Sequence, residues 1–187
     1  YLDHPEEFGR LYVVARLYAV MWGLVGIWAV FWITRRVTGG RLLSAAFAAL
    51  CFICMPVVIN MAHEAKPHLP GAVLQLLAVA AAIRYVETGR SKWWLATGIL
   101  CGAAFGMVLS AWPVFVVLPL MTVLRRGAWL YRGVLALGGV LVGVAVYLLT
   151  NPYIVINLFV NRDVLRSNFG NSLAMYEIGR WPEGVLN

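Results

Sequence analysis

Long apolar stretches separated by short polar turns constrain this chain more than any other feature of its sequence. A membrane-crossing helix needs about 20 mostly apolar residues to traverse about 30 Å of hydrocarbon. Candidate spans run over 11–34, 42–61, 69–86, 93–112, 113–124 and 133–150. The fifth covers only 12 residues, a length that suits a short or tilted helix packed among its neighbours. Of the 187 residues 62% are hydrophobic and 12% charged, against about 25% charged in a soluble domain. Too few charges remain to cover a water-facing surface, which excludes an ordinary soluble enzyme and a disordered chain. The expected fold class is all-α, a polytopic transmembrane helical bundle of about six spans over residues 1–150.

The formal charge of +7 becomes informative through its placement. Arg35, Arg36 and Arg41 fall in one turn, Arg84, Arg90 and Lys92 in a second, and Arg125, Arg126 and Arg132 in a third. Nine of the 15 basic residues thus occupy alternate loops, the positive-inside pattern, which reads these turns as cytoplasmic. The bilayer accounts for the positive charge, and no nucleic-acid partner is expected. The opposite face then collects the N-terminus, the 62–68 stretch, the Ser110–Pro113 corner and residues 151–187. Gly98, Gly102 and Gly106 repeat at four-residue spacing, as do Gly139 and Gly143, the small-residue rows that let helices approach closely in lipid.

Polar chemistry concentrates on that opposite face. His63, Glu64, Lys66 and His68 fall within six residues. The zinc-protease motif needs histidines at i and i+4 on one helix face; here the spacing is five, and Pro67 biases Lys66 away from helix. The four side chains read either as a solvated loop or as a site displayed at the start of the third span. Arg16, early in the first span, either snorkels outward to the interface or faces inward as a cation suited to an anion. Glu87 and the remaining loop charges read as solvated faces.

Cys51 and Cys54 have redox-motif spacing, but they sit mid-span in AALCFICMP with no βαβ pattern around them. With Cys101 the count is odd, so no disulfide framework is implied. After Thr150 the composition turns polar. Asn151-Pro152-Tyr153 ends the last span, and Val160, Val164, Leu165, Phe169 and Leu173 suit one side of an external interfacial helix broken by Arg180-Trp181-Pro182. The chain opens on Tyr1 without a charged leader, as a piece of a longer protein would.

Taken in order, LYVVARLYAVMWGLVGIWAVFWITRRVTGG, AHEAKPHLPGAVLQLLAVAAAIRY, WWLATGILCGAAFGMVLSAWPVFVVLPLMTVLRR and TNPYIVIN resemble the middle of a GT-C fold integral-membrane glycosyltransferase. The resemblance is to the dolichyl-phosphate-mannose protein mannosyltransferase and aminoarabinose transferase superfamily. It implies inverting transfer of a hexosyl or pentosyl group from a polyprenyl-phosphate donor to a protein, lipid or glycan acceptor on the non-cytoplasmic face, here of a bacterial inner membrane. Lys66 matches a contact to the donor phosphate within Ala65-Lys66-Pro67-His68, with His68 standing where the family often carries an aspartate. Arg16, His63, Glu64, His68 and Tyr153 complete the implied substrate-binding set. The family's principal acidic residues precede the span that 11–34 matches; Asp3, Glu6 and Glu7 would be the tail of that loop, and Glu64 is the substitute base within the chain. A later lysine expected near Leu109–Trp112 is absent. The resemblance implies no obligatory cofactor, although some relatives use a divalent metal. Two other classes fit the residues alone: a transporter or flippase-like bundle using Arg16, Lys66 and the histidines for uptake, and a non-catalytic membrane scaffold.

Overall fold

The computed structural model describes residues 5–64, 66–125 and 129–177, and every regular element among them is helical. In order these are α1 (Pro5–Val37), α2 (Leu42–Cys54), α3 (Pro56–His63), α4 (His68–Thr88), α5 (Ser91–Met107), a 3-10 segment (Leu109–Val116), α6 (Val117–Leu124), α7 (Trp129–Thr150), α8 (Pro152–Val160) and α9 (Arg162–Glu177). The chain divides into two compact units, one through Tyr147 and one from Leu148 onward.

Of the six expected spans, three appear as helices long and apolar enough to cross a membrane and the second as a bent pair, so three or up to four span by length and composition. The fourth is the 17-residue α5 and the fifth the short apolar stretch Leu109–Leu124. Segments 12–37, 68–88 and 130–150 are each long and apolar enough to cross a membrane. α1 outruns its expected bounds, 11–34, at both ends. Its last turn carries Arg35 and Arg36, which favour a helix C-terminus, and it stops where Gly39 and Gly40 take positive φ of 68° and 93°. The 42–61 span is broken: the residue before a proline is pushed out of the helical region, so Met55 is extended and α2 meets α3 at a 58° bend.

The fourth span stops earlier than expected. α5 ends at Met107 and Val108 is extended, at φ −146° and ψ 128°, with its side chain against the space that the missing Cβ of Gly71 leaves on α4. The chain then resumes as the 3-10 segment containing Pro113 and continues into α6. Cys101 is wholly buried behind this corner, its Sγ donating to the Val114 carbonyl at 3.7 Å.

α4 is the central helix of the first unit, packed on α1, α5 and α6. Its buried face is rich in small residues, Ala78, Ala80, Ala81 and Ala82, and it closes over Leu118 and Met121 of α6, two of the largest fully buried side chains. α5 and α7 meet along their glycine rows. A Cβ added to Gly98 would lie 3.0 Å from the Gly139 carbonyl, and one on Gly102 would collide with the backbone of Gly143. The seam is bounded by the Trp94 Nε1 donor on the Leu135 carbonyl at 2.9 Å and by the Phe105 and Tyr147 rings, 4.3 Å apart. Outward faces carry large apolar side chains such as Leu43, Phe47, Leu137 and Leu141, as helices bathed in lipid require.

The basic turns gather at one end of this unit. Glu87 is exposed, as expected, and is also held across 51 residues of sequence by Arg36, whose Nε and Nη2 donate to its two oxygens at 2.6 and 3.0 Å. The reason is tertiary: α1 and α4 run parallel, from Gly23 beside Leu69 to Arg36 beside Glu87. Arg125, just past α6, folds back on the C-terminus of α4, donating to the Tyr85 carbonyl at 3.1 Å and lying against Gly89, the cap with φ +67°.

In the second unit α8 packs on α9, with the break at Asn161 placing Val160 on α8 and Val164 and Leu165 on α9. The Arg180-Trp181-Pro182 stop lies outside the described residues, as does Asp3.

Candidate functional site

Leu69, Pro70 and Gly71 anchor the start of α4, all three buried, with Leu69 facing Gly23 of α1 and Gly71 facing Met107 and Val108. This anchoring fixes the short connection from α3 while leaving its polar side chains in the open. His63 is the last residue of α3, Glu64 and Lys66 lie in the connection, and His68 is the first residue of α4. All four are exposed, at the end of the bundle away from the basic turns.

Lys66 Nζ pairs with Glu64 Oε2 at 2.8 Å, the two side chains being 58% and 49% exposed. Such a pair is weak in water and is easily opened by a stronger anion. An ammonium has three donors, so Lys66 can hold Glu64 and a second acceptor together. His63 Nδ1 lies 2.7 Å from the Ile59 carbonyl. A carbonyl only accepts, so the hydrogen sits on Nδ1 and Nε2 points away as the free ring nitrogen.

α4 begins on Pro67 with no side-chain cap. Its 21 residues direct the positive end of a helix dipole, with the His68 amide, toward the connection that carries Lys66. One ammonium, two imidazoles, a helix N-terminus and one carboxylate thus stand within six residues, groups of the kind that can hydrogen-bond an oxyanion.

Arg16 is not joined to this group. Its Nη2 donates to Tyr12 Oη at 2.8 Å and its guanidinium stacks 4.3 Å from the Tyr12 ring, one turn earlier on α1. It lies two turns, about 10 Å, along α1 from Gly23, the residue level with Leu69. Tyr153 is an exposed residue of α8 in the second unit. Glu6 and Glu7 fall in the first turn of α1. Among the described residues no three His, Cys, Asp or Glu side chains converge to hold a metal ion. Neither the Tyr12 partner of Arg16 nor the uncapped N-terminus of α4 was read from the sequence; the i, i+4 spacing of Tyr12 and Arg16 was the available signal for the first.

No curated protein and no solved structure matches the chain. The sequence profile of the dolichyl-phosphate-mannose-protein mannosyltransferase family matches residues 8–150, a stretch that contains α1 from its first turns, the 63–68 group and α7. An all-helical bundle with apolar, lipid-length helices and that match over most of its length make this chain a member of the dolichyl-phosphate-mannose-protein mannosyltransferase family, which are membrane glycosyltransferases.

Proposed function

We propose that the chain serves transfer of a sugar from a polyprenyl-phosphate donor to an acceptor on the non-cytoplasmic face, and that the start of α4 receives the donor phosphate. The observation that carries this is the placing of Lys66 and His68 at the uncapped N-terminus of α4, at the end of the bundle opposite the basic turns. Positive-inside placement of those turns supports the non-cytoplasmic side for the site.

As the glycosidic bond to the donor breaks, negative charge grows on the departing polyprenyl phosphate. An ammonium and a helix N-terminus at that oxygen stabilise the charge more in the transition state than in the ground state, which lowers the barrier. Glu64, ion-paired to Lys66, acts as a positioning residue for the ammonium, and His63 and His68 offer further hydrogen bonds to phosphate or sugar. The base for the acceptor hydroxyl is assigned to none of these residues.

The test is transfer from a radiolabelled polyprenyl-phosphate sugar in membranes expressing the protein, with insertion checked by protease protection. Removing one preorganised donor at a developing anion costs about 10²–10³ in rate, so Lys66→Ala should lower turnover by about that factor with insertion unchanged. Lys66→Arg should retain part of the activity. Wild-type turnover in Lys66→Ala would remove the residue from the mechanism.

A further inference from the structure

Toward the basic end of the first unit, α1, α4 and α5 leave between them a groove of about 360 Å³. Trp28 and Trp32 of α1 and Trp93 of α5 supply broad apolar walls, while Ala80 and Ala81 of α4 and Ala96 of α5 keep the floor low. The lining is apolar apart from Arg84. From Arg84 the groove extends to Leu77, two helical turns or about 10 Å deeper.

Its charge lies at one end only. The Arg84 guanidinium stands 5.1 Å from the Trp32 ring, and Lys92 Nζ stands 5.4 Å from the Trp93 ring. Glu87 is shared between two guanidiniums: it takes both close hydrogen bonds from Arg36 and pairs with Arg84 Nη1 at 3.9 Å, so one carboxylate faces two cations. Among the described residues the Arg84 guanidinium makes no hydrogen bond, and it keeps all five of its donors. Glu87 balances one of Arg36 and Arg84, and with Lys92 beside Trp93 the mouth keeps a net positive charge.

We infer that this groove holds an anionic phospholipid of the leaflet at the basic end, one acyl chain lying along the tryptophans and alanines and the phosphate resting between Arg84 and Lys92. An apolar channel in a lipid-facing wall fits an acyl chain. The net positive mouth selects a net negative headgroup, whereas the ammonium of a zwitterionic lipid meets like charge there. The occupant is distinct from the glycosyl donor, whose phosphate belongs at the opposite end of α4, so the inference stands apart from the proposed transfer reaction.

The test is quenching of tryptophan fluorescence in vesicles in which brominated phosphatidylglycerol or brominated phosphatidylcholine competes with its unbrominated form. Two cations at the mouth should give phosphatidylglycerol a preference of about tenfold at low salt. Arg84→Gln with Lys92→Gln should bring that preference close to one. Ala96→Phe, which fills the floor and leaves the charges, should reduce quenching by both lipids. Equal binding of the two lipids by the wild-type protein would overturn the inference, as would full preference in the double variant. Unchanged quenching in Ala96→Phe would show surface attraction without an occupied groove and overturn it too. Displacement of brominated phosphatidylglycerol by a polyprenyl phosphate at a tenth of the concentration would assign the groove to the donor's tail instead.

Discussion

Replacing Gly102 by alanine adds one methyl group to the α5–α7 seam, and the structure says what that methyl meets. The nearest atoms are the carbonyl oxygen, carbon and Cα of Gly143, all backbone, so no rotamer change relieves the contact. The helices must move apart, and a gap of about 0.5–1 Å already forfeits about a quarter to a half of each dispersion contact along the seam. Overpacking of this kind costs about 1–3 kcal/mol, and the backbone obstacle places Gly102→Ala at about 2–3 kcal/mol. Gly98→Ala should cost less, about 1 kcal/mol, because its neighbours, the Gly139 carbonyl at 3.0 Å and Val142 Cγ1 at 3.1 Å, need to give only a few tenths of an ångström. Gly133, on the same α7 with nothing within 4 Å, is the control: alanine there should be neutral or stabilising by up to about 0.5–1 kcal/mol. A buried thiol supplies the assay. In a Cys51→Ser, Cys54→Ser background only Cys101 remains, and it is 0% exposed, so a fluorogenic maleimide labels it only as the protein unfolds. At about 2–4 °C per kcal/mol for a chain of this size, Gly102→Ala should lower the labelling midpoint by about 5–10 °C. A midpoint equal to that of Gly133→Ala would refute the close α5–α7 approach.

Two further perturbations address the ends and the bend. Arg125→Ala removes the donor to the Tyr85 carbonyl and a cation at the C-terminus of α4, so it should cost about 1–2 kcal/mol in the same thermal assay; an unchanged midpoint would show that α4 needs no such cap. Pro56→Ala removes the restriction that holds Met55 extended and should let α2 and α3 approach a continuous helix, lengthening the distance between spin labels at Leu43 and Asn60; an unchanged distance would assign the 58° bend to tertiary packing instead.

Much of the membrane architecture is written locally. The order of apolar segments, the break at Pro56, the stop at Gly39 and Gly40 and the gathering of arginines at alternate turns all follow from properties of single residues or short runs. In a bilayer such local properties carry unusual weight, because each backbone polar group must be satisfied within its own helix. The candidate group was equally legible: His63, Glu64, Lys66 and His68 stand within six residues, and their spacing together with Pro67 set aside a zinc-protease geometry.

What the sequence left open depends on partners far apart in the chain. The partner of exposed Glu87 was hidden because Arg36 is 51 residues away, and only the parallel run of α1 and α4 joins them. α5 carries no breaker at Val108; it ends there beside the gap that Gly71 leaves on α4. Arg16 left both a snorkelling and an inward-facing reading open, and its contact within the structure is Tyr12 on its own helix. The groove of Trp28, Trp32 and Trp93 likewise joins residues of separate helices that no periodicity pairs. Composition and hydropathy determine that this chain forms apolar helices and where each can start and stop, because those are properties of a segment against its solvent. Which side chains meet, and whether a charge is paired or left facing a groove, is decided by how the helices pack, since that energy belongs to pairs of segments and not to either one.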